Sequence, residues 1–175
     1  MKKKLELPLT EETVRSLRIG DEVLLTGTIY TARDAAHKFL TAHPDKCPVS
    51  LEGTAIYHCG PIVIGKEGNW RITAAGPTTS TRTEPYIADM VKHFGIRVFI
   101  GKGGLGGKSL EAFCDYGCVY LSAVGGCAQV LARAVKKVRN VYFYEEFGSP
   151  EAVWELEVED FPATVTMDST GETMH

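Results

Sequence analysis

The chain has 175 residues, 44% hydrophobic and 23% charged, the ordinary mix of a globular domain with room for one core. Nineteen lysines and arginines stand against 22 acidic residues, a net charge of −3, so bulk electrostatics gives no reason to expect nucleic acid or an anionic membrane as partner. No apolar run approaches the roughly 20 residues that span a bilayer, and the start MKKKLELPLTEE lacks the apolar stretch of a signal peptide. Five cysteines (Cys47, Cys59, Cys114, Cys118 and Cys127) are odd in number and fit no disulfide framework, so a single reduced, cytoplasmic domain over residues 1–175 is expected.

In chain order, residues 5–19 alternate leucine with charge and run into the turn RIGDEV. EVLLTGTIYTA (22–32) reads as a strand. TARDAAHKFLTAH (31–43) reads as a helix with Thr31 as N-cap and Asp34 completing a variant capping box. TAIYHCGPIVI and WRITAAGP are two short strands that each end at a Gly-Pro, RTEPYIADMVKHFG is an amphipathic helix closed by Gly95, and IRVFIGKGG is an apolar strand entering glycines. KSLEAFCDYG follows as a helix, CVYLSAVGG as a strand and CAQVLARAVKKV as a helix with basic residues toward its C-terminal end. NVYFYEEF and AVWELEVEDFPATVTMDSTG read as strands, the latter as two or more. Alternating strands and helices in the centre predict an α/β fold on a mostly parallel sheet, and the strand-rich ends predict a second, partly antiparallel layer.

Three places bring glycines and cations together. In GTIYTARDAAHK, Arg33 and His37 lie four apart on one helix face, near an N-terminal end whose unpaired N–H groups suit an anion; an ordinary solvated face is the alternative. In AAGPTTSTR, four consecutive hydroxyl residues, Thr78 to Thr81, precede Arg82. One helix cap needs one hydroxyl, and the surplus beside a guanidinium at a strand's carboxyl end is what a carboxylate pocket would use. GKGGLGGKS contains the spacing of a dinucleotide fingerprint at Gly101, Gly103 and Gly106, but Lys102 sits at its tight turn and no acidic residue follows at the ribose-binding distance. The phosphate-loop pattern fails as well, because residue 102 is lysine where glycine is required. A glycine-lined turn that admits a small anion beside Lys102 remains, as does a purely structural turn.

In this order and at these spacings, TARDAAHK, GPTTSTR and GKGG resemble the beta subunit of class I (iron–sulfur) fumarate hydratase and of L-tartrate dehydratase, a unit that forms the C-terminal domain of the single-chain enzymes. The similarity covers nearly the whole chain, including the tail SPEAVWELEVEDFPATVTMDSTG. It implies a three-layer β/β/α swivelling domain, with a central mostly parallel sheet and a second antiparallel sheet. It implies a separate alpha subunit that carries a 4Fe–4S cluster through three cysteines, hence a hetero-oligomer, or a homodimer when this chain is isolated. The implied reaction is reversible hydration of fumarate to malate, a step of the tricarboxylic acid cycle, or dehydration of tartrate.

By the same resemblance Arg33 matches an arginine that grips a substrate carboxylate, Arg82 and Lys102 match two further cationic contacts, and Thr78 matches the threonine proposed as the proton-abstracting base, with Thr79 beside it. His37 lies inside a matched motif as a supporting residue without an assigned role, and no residue of this chain is expected to hold the cluster metal. Thr83 and Leu105 stand where methionine is common, a departure that bears on substrate preference. Expelling water around a dicarboxylate requires paired charges, and a threonine alkoxide requires cationic support, so the three cations are chemically apt. A reading from another class stays beside this one: a phosphate- or nucleotide-binding module built on residues 101–107.

Overall fold

Apolar side chains three and four apart give each of three helices one buried face. That face carries Ala36 and Leu40 in α2 (Asp34–Ala42), Ile87, Met90 and Val91 in α3 (Glu84–Phe94), and Ala112 and Phe113 in α4 (Gly107–Tyr116). The computed structural model describes residues 2–123 and 128–175. Four parallel strands receive the helices: β2 (Glu22–Thr31), β3 (Ala55–Tyr57), β6 (Val98–Gly101) and β7 (Val119–Ser122). Each strand offers one aromatic or branched side chain to the helical side, Tyr30, Ile56, Phe99 and Tyr120, while its neighbours Ile29, Tyr57, Val98, Ile100, Val119 and Leu121 point to the opposite core. This is the two-residue alternation of a strand buried on both faces.

The opposite core is enclosed by β9 (Val153–Met167), which runs antiparallel to β7 and also to β2. The sheet order β1-β2-β3-β6-β7-β9-β8 therefore closes on itself through the β2–β9 pairing, with β1 (Lys3–Glu6) and β8 (Val135–Tyr142) outside the ring. Closure requires a bend. Between the pairs Leu25–Phe161 and Gly27–Val158, β9 has two residues, Glu159 and Asp160, against Thr26 alone. Asp160 takes the left-handed conformation (φ 50°) and its N–H donates to Thr26 Oγ1 at 3.0 Å, the signature of a bulge that bends a strand. A separate two-stranded antiparallel sheet, β4 (Ile62–Ile64) with β5 (Arg71–Ala74), packs beside α5 (Ala128–Arg133). Two short helices, α1 (Glu11–Ser16) and α6 (Tyr144–Phe147), complete the fold. Among the described residues no helix is long and apolar enough to cross a membrane.

Four expectations change. The helix expected over 127–138 stops at Arg133, and from Val135 the chain is strand β8. Val135, Val138 and Val141 recur every third residue, which resembles a helical face, but register shifts at 135/137 and 138/140 let a bulged strand turn all three toward the core. The strand expected over 140–147 ends at Tyr142; Phe143 is left-handed (φ 63°) and opens α6. The tail is one strand rather than several, because the bulge bends β9 without breaking it. Thr31 is not a helix cap. It is the last residue of β2, and its hydroxyl accepts from Trp154 N–H at 3.0 Å. Val124, Gly125, Gly126 and Cys127, part of the expected strand end and helix start, lie outside the described residues.

Candidate functional site

β2, β3 and β6 are parallel neighbours, so their carboxyl ends open on one edge of the sheet, where α/β proteins hold ligands. There the Gly-Pro segment is threaded between the ends of β3 and β6. Thr78 N–H donates to His58 O (2.8 Å), Lys102 N–H donates to Thr78 O (3.3 Å), and Ser80 N–H donates to Lys102 O (3.0 Å). Two of the three sequence motifs are thus joined backbone to backbone. The third enters through Arg33, whose Nη1 lies 2.9 Å from where a Cβ on Gly60 would stand, so that a side chain there would press on the guanidinium.

The hydroxyls divide by environment. Ser80 and Thr83 are buried, and neither caps a helix by its side chain. Thr83 Oγ1 instead donates to Ser80 O at 2.7 Å, holding the turn from below. Thr78 is half-buried and Thr79 exposed. Among the described residues neither of those two hydroxyls has a hydrogen-bond partner. Leu105, the other departure from the common pattern, is buried with its N–H toward Met167 Sδ at 3.4 Å.

The cations differ too. Arg33 is 28% exposed, with Nε 2.9 Å from Glu151 Oε2. That is ion-pair distance, yet the Nε–H is not aimed at the oxygen and is left without an acceptor, so the guanidinium is held by charge alone. Arg82 is half-exposed and lies 3.4 Å from Asp34 Oδ2 at the start of α2. Lys102 is exposed and pairs with no carboxylate among the described residues. Arg33, Arg82, Thr78, Thr79 and Lys102 therefore surround one edge, with Lys102 in bridge contact with Thr79.

The helix starts that looked suited to an anion are already filled. Glu151 Oε1 accepts from Ala35 N–H at 3.1 Å in the first turn of α2. Glu84 accepts from Gly106 N–H, Ser109 N–H and Ser109 Oγ at the start of α4. Within the 101–107 loop, Gly106 N–H is thus spent on the chain's own carboxylate, Lys102 N–H on Thr78 O and Gly104 N–H on Tyr120 Oη, which leaves fewer donors for a phosphate there.

Beneath the threaded segment runs a buried polar row. His37 Nδ1 lies 2.8 Å from Arg33 O, His37 Nε2 3.2 Å from His58 Nε2, His58 Nδ1 2.7 Å from Ser80 Oγ, and Ser80 Oγ 2.9 Å from Tyr120 Oη. Gly104 N–H donates to Tyr120 Oη at 3.3 Å. His37 is fully buried with both nitrogens engaged, so it is unavailable as a base toward a ligand. Neither His58 nor Tyr120 was singled out by the sequence; a histidine one residue before Cys-Gly-Pro at a strand end was the one signal on offer.

Burial pushes His37 down to about 4, a shift that its contact with Arg33 O and the charge of Asp34 only partly oppose. Burial, with repulsion from His37, puts His58 well below its ordinary value too. Both rings are therefore neutral in the fold, while in the unfolded chain they take up protons near pH 6.5. A depressed folded pKa means stability that is complete above about pH 6.5 and is lost as pH falls toward 4, up to about 3 kcal/mol for His37. Denaturant midpoints recorded from pH 7 to 4.5 should fall across this window, and less steeply in His37→Asn. A flat wild-type profile would contradict the assignment.

The described cysteines do not suit an iron–sulfur cluster. They do not converge on a common point, and burial raises all four, Cys59 to about 12 and Cys118 further. Among the described residues no three His, Cys, Asp or Glu converge as metal ligands. A surface concavity of about 730 Å³ lies elsewhere, between Trp70, Val138, Val141 and Tyr144, and shares no residue with the edge around Thr78.

The family model described as "Fumarase C-terminus" matches residues 1–175. The chain is 53% identical over 172 residues to "Putative fumarate hydratase class I" of Geobacillus stearothermophilus, covering 98% of this chain but 33% of that longer protein. It is 46% identical to "Putative L(+)-tartrate dehydratase subunit beta" of Methanocaldococcus jannaschii, covering 95% of this chain and 88% of the relative. It is 34% identical to "L(+)-tartrate dehydratase subunit beta" of Escherichia coli K12, covering 99% and 87%.

Proposed function

The chain belongs to the Fumarase C-terminus family, and from that premise we propose that it is the beta subunit of an iron–sulfur hydro-lyase that interconverts fumarate and malate in the cytoplasm. The observation that carries this reading is the threading of Thr78–Ser80 between the ends of β3 and β6, which sets a hydroxyl without a partner among the described residues beside Lys102, at the edge that Arg33 and Arg82 also reach. In this reading Arg33, Arg82 and Lys102 receive the two carboxylates, Thr79 assists, and Thr78 removes the carbon-bound proton of malate. Arg33 and Arg82 exchange Glu151 and Asp34 for substrate, and the incompletely bonded Arg33 gives up little in doing so.

The cluster does not fit this chain's described cysteines, so the reading assigns it to a separate alpha subunit. Two observations support such a partner. The proposed residues line an open edge rather than an enclosed cavity. The chain also exposes Ile62 (60%) and Ile64 (43%) on β4 and Val130 (51%) on the adjoining α5, apolar area that a partner would cover. The helices, the parallel strands and the β8–β9 face are taken as the three layers of a swivelling domain that docks on that subunit.

Dehydration of L-tartrate is the second reading, favoured by the similarity to relatives named tartrate dehydratase beta subunits. The test is co-expression with a candidate alpha chain, anaerobic reconstitution of the cluster, and assay on fumarate and L-tartrate. The expected result is malate formed from fumarate faster than oxaloacetate from tartrate; the reverse order establishes the second reading, and no turnover of either removes both. The chain purified alone should show no hydratase activity and no stoichiometric iron or sulfide, which iron and acid-labile sulfide analysis checks.

A further inference from the structure

The row from Gly104 to Arg33 has a property that none of its members has singly: with neutral rings its donor order is unique. Arg33 O can only accept, so His37 Nδ1 carries the proton. His37 Nε2 is then bare and accepts from His58 Nε2–H. His58 Nδ1 is bare in turn and accepts from Ser80 Oγ–H. Ser80 Oγ accepts from Tyr120 Oη–H, and Tyr120 Oη accepts from Gly104 N–H. Every donor points the same way along the row. Both ends are backbone amide groups, which neither supply nor take up protons near neutral pH.

The row also touches each motif of the proposed site. It begins in the glycine loop beyond Lys102, passes through the threaded segment at Ser80 and the end of β3 at His58, and finishes on the carbonyl of Arg33. His37, His58 and Ser80 are fully or almost fully buried, and Tyr120 is fully buried. Gly101 closes the space around them: a Cβ there would stand 2.0 Å from Ser80 Oγ, 3.0 Å from Tyr120 Oη and 3.2 Å from His58 Nδ1. A satisfied buried network of this kind specifies one arrangement, because any other leaves a polar group unpaired.

We infer that His37, His58, Ser80 and Tyr120 are positioning residues, a one-directional clasp that holds the backbones of Arg33, Thr78 and Lys102 in a single register and passes no proton during turnover. The inference rests on the proposed hydro-lyase reading for its effect on rate, but not for its effect on structure.

Tyr120→Phe and Ser80→Ala test it, the first removing one hydroxyl and no carbon volume. Nitrogen-15 spectra of the full chain should show His37 protonated at Nδ1 and His58 at Nε2. In either variant, amide hydrogen exchange at Thr78 and Lys102 should accelerate while exchange in β1 and α1 keeps its wild-type rate. That local pattern separates loosening of the clasp from general destabilisation. In the complex reconstituted with the alpha subunit, kcat/KM should fall roughly 10- to 100-fold, the scale of a small misplacement of reacting groups. The pH profile and the solvent deuterium isotope effect should not move. A shifted profile or altered isotope effect would make the row a proton path and overturn the inference. So would opposite tautomers, or unchanged exchange at Thr78 and Lys102. Wild-type kcat/KM in the variants of an active complex would likewise overturn it. A wild-type complex inactive on both substrates sinks the hydro-lyase reading instead, and the tautomers and exchange rates then decide the clasp alone.

Discussion

Thr78→Val is expected to lower turnover of the reconstituted enzyme by about 100- to 10,000-fold, the range for losing a general base, while leaving substrate affinity within a few-fold. The reason lies in how the residue is held. Its N–H is tied to His58 O and its carbonyl to Lys102 N–H, so the backbone cannot drift, yet its hydroxyl has no partner among the described residues. Ser80 and Thr83, by contrast, spend their hydroxyls inside the protein. Valine keeps the shape and loses only the oxygen. Removing a group that acts in the transition state depresses kcat and kcat/KM together, whereas removing a helix cap would cost about 1 kcal/mol of stability and leave turnover per folded molecule intact. Thr78→Ser retains the hydroxyl and should keep part of the activity. The decisive measurement is exchange of the substrate's carbon-bound proton in deuterated water. Wild-type exchange in Thr78→Val would show that the base is another group, and since His37 is sealed in the interior, the search would move to the alpha subunit.

Arg33→Lys should reduce kcat/KM of the complex by roughly 30- to 1,000-fold, or about 2–4 kcal/mol, the scale for losing one partner of a desolvated charge pair. Charge is conserved, but the planar fork that grips a carboxylate through two parallel hydrogen bonds is not. The loss should not be one of folding, because the Arg33–Glu151 contact is partly exposed and lacks an aligned Nε–H bond; the thermal midpoint should move little. Lys108, exposed in the first turn of α4, is the control, and Lys108→Ala should be near neutral. If Arg33→Lys and Lys108→Ala have equal effects on kcat/KM, Arg33 does not receive substrate.

Periodicity along the sequence was sufficient for the elements whose contacts it encodes directly. The amphipathic helices follow from apolar residues at i, i+3 and i+4, the parallel sheet from the alternation of strand and helix segments along the chain, and the cation-bearing turns from glycine and proline at strand ends. What joined TARDAAHK, GPTTSTR and GKGG into one expected site was their resemblance to a known family, not periodicity. Tertiary structure alone decided which of four adjacent hydroxyls faces inward, because Ser80 is buried by Tyr120, 40 residues away. It also decided that both helix starts hold internal carboxylates, since Glu151 reaches Ala35 across 116 positions and Glu84 reaches Ser109 across 25. β8 shows the same limit from the other side: valines at every third residue satisfy a helix locally, and only pairing with β9, through bulges, makes them a strand. Local spacing states which face of an element is apolar. What covers that face, and which polar group is consumed in doing so, depends on how β9 closes the sheet.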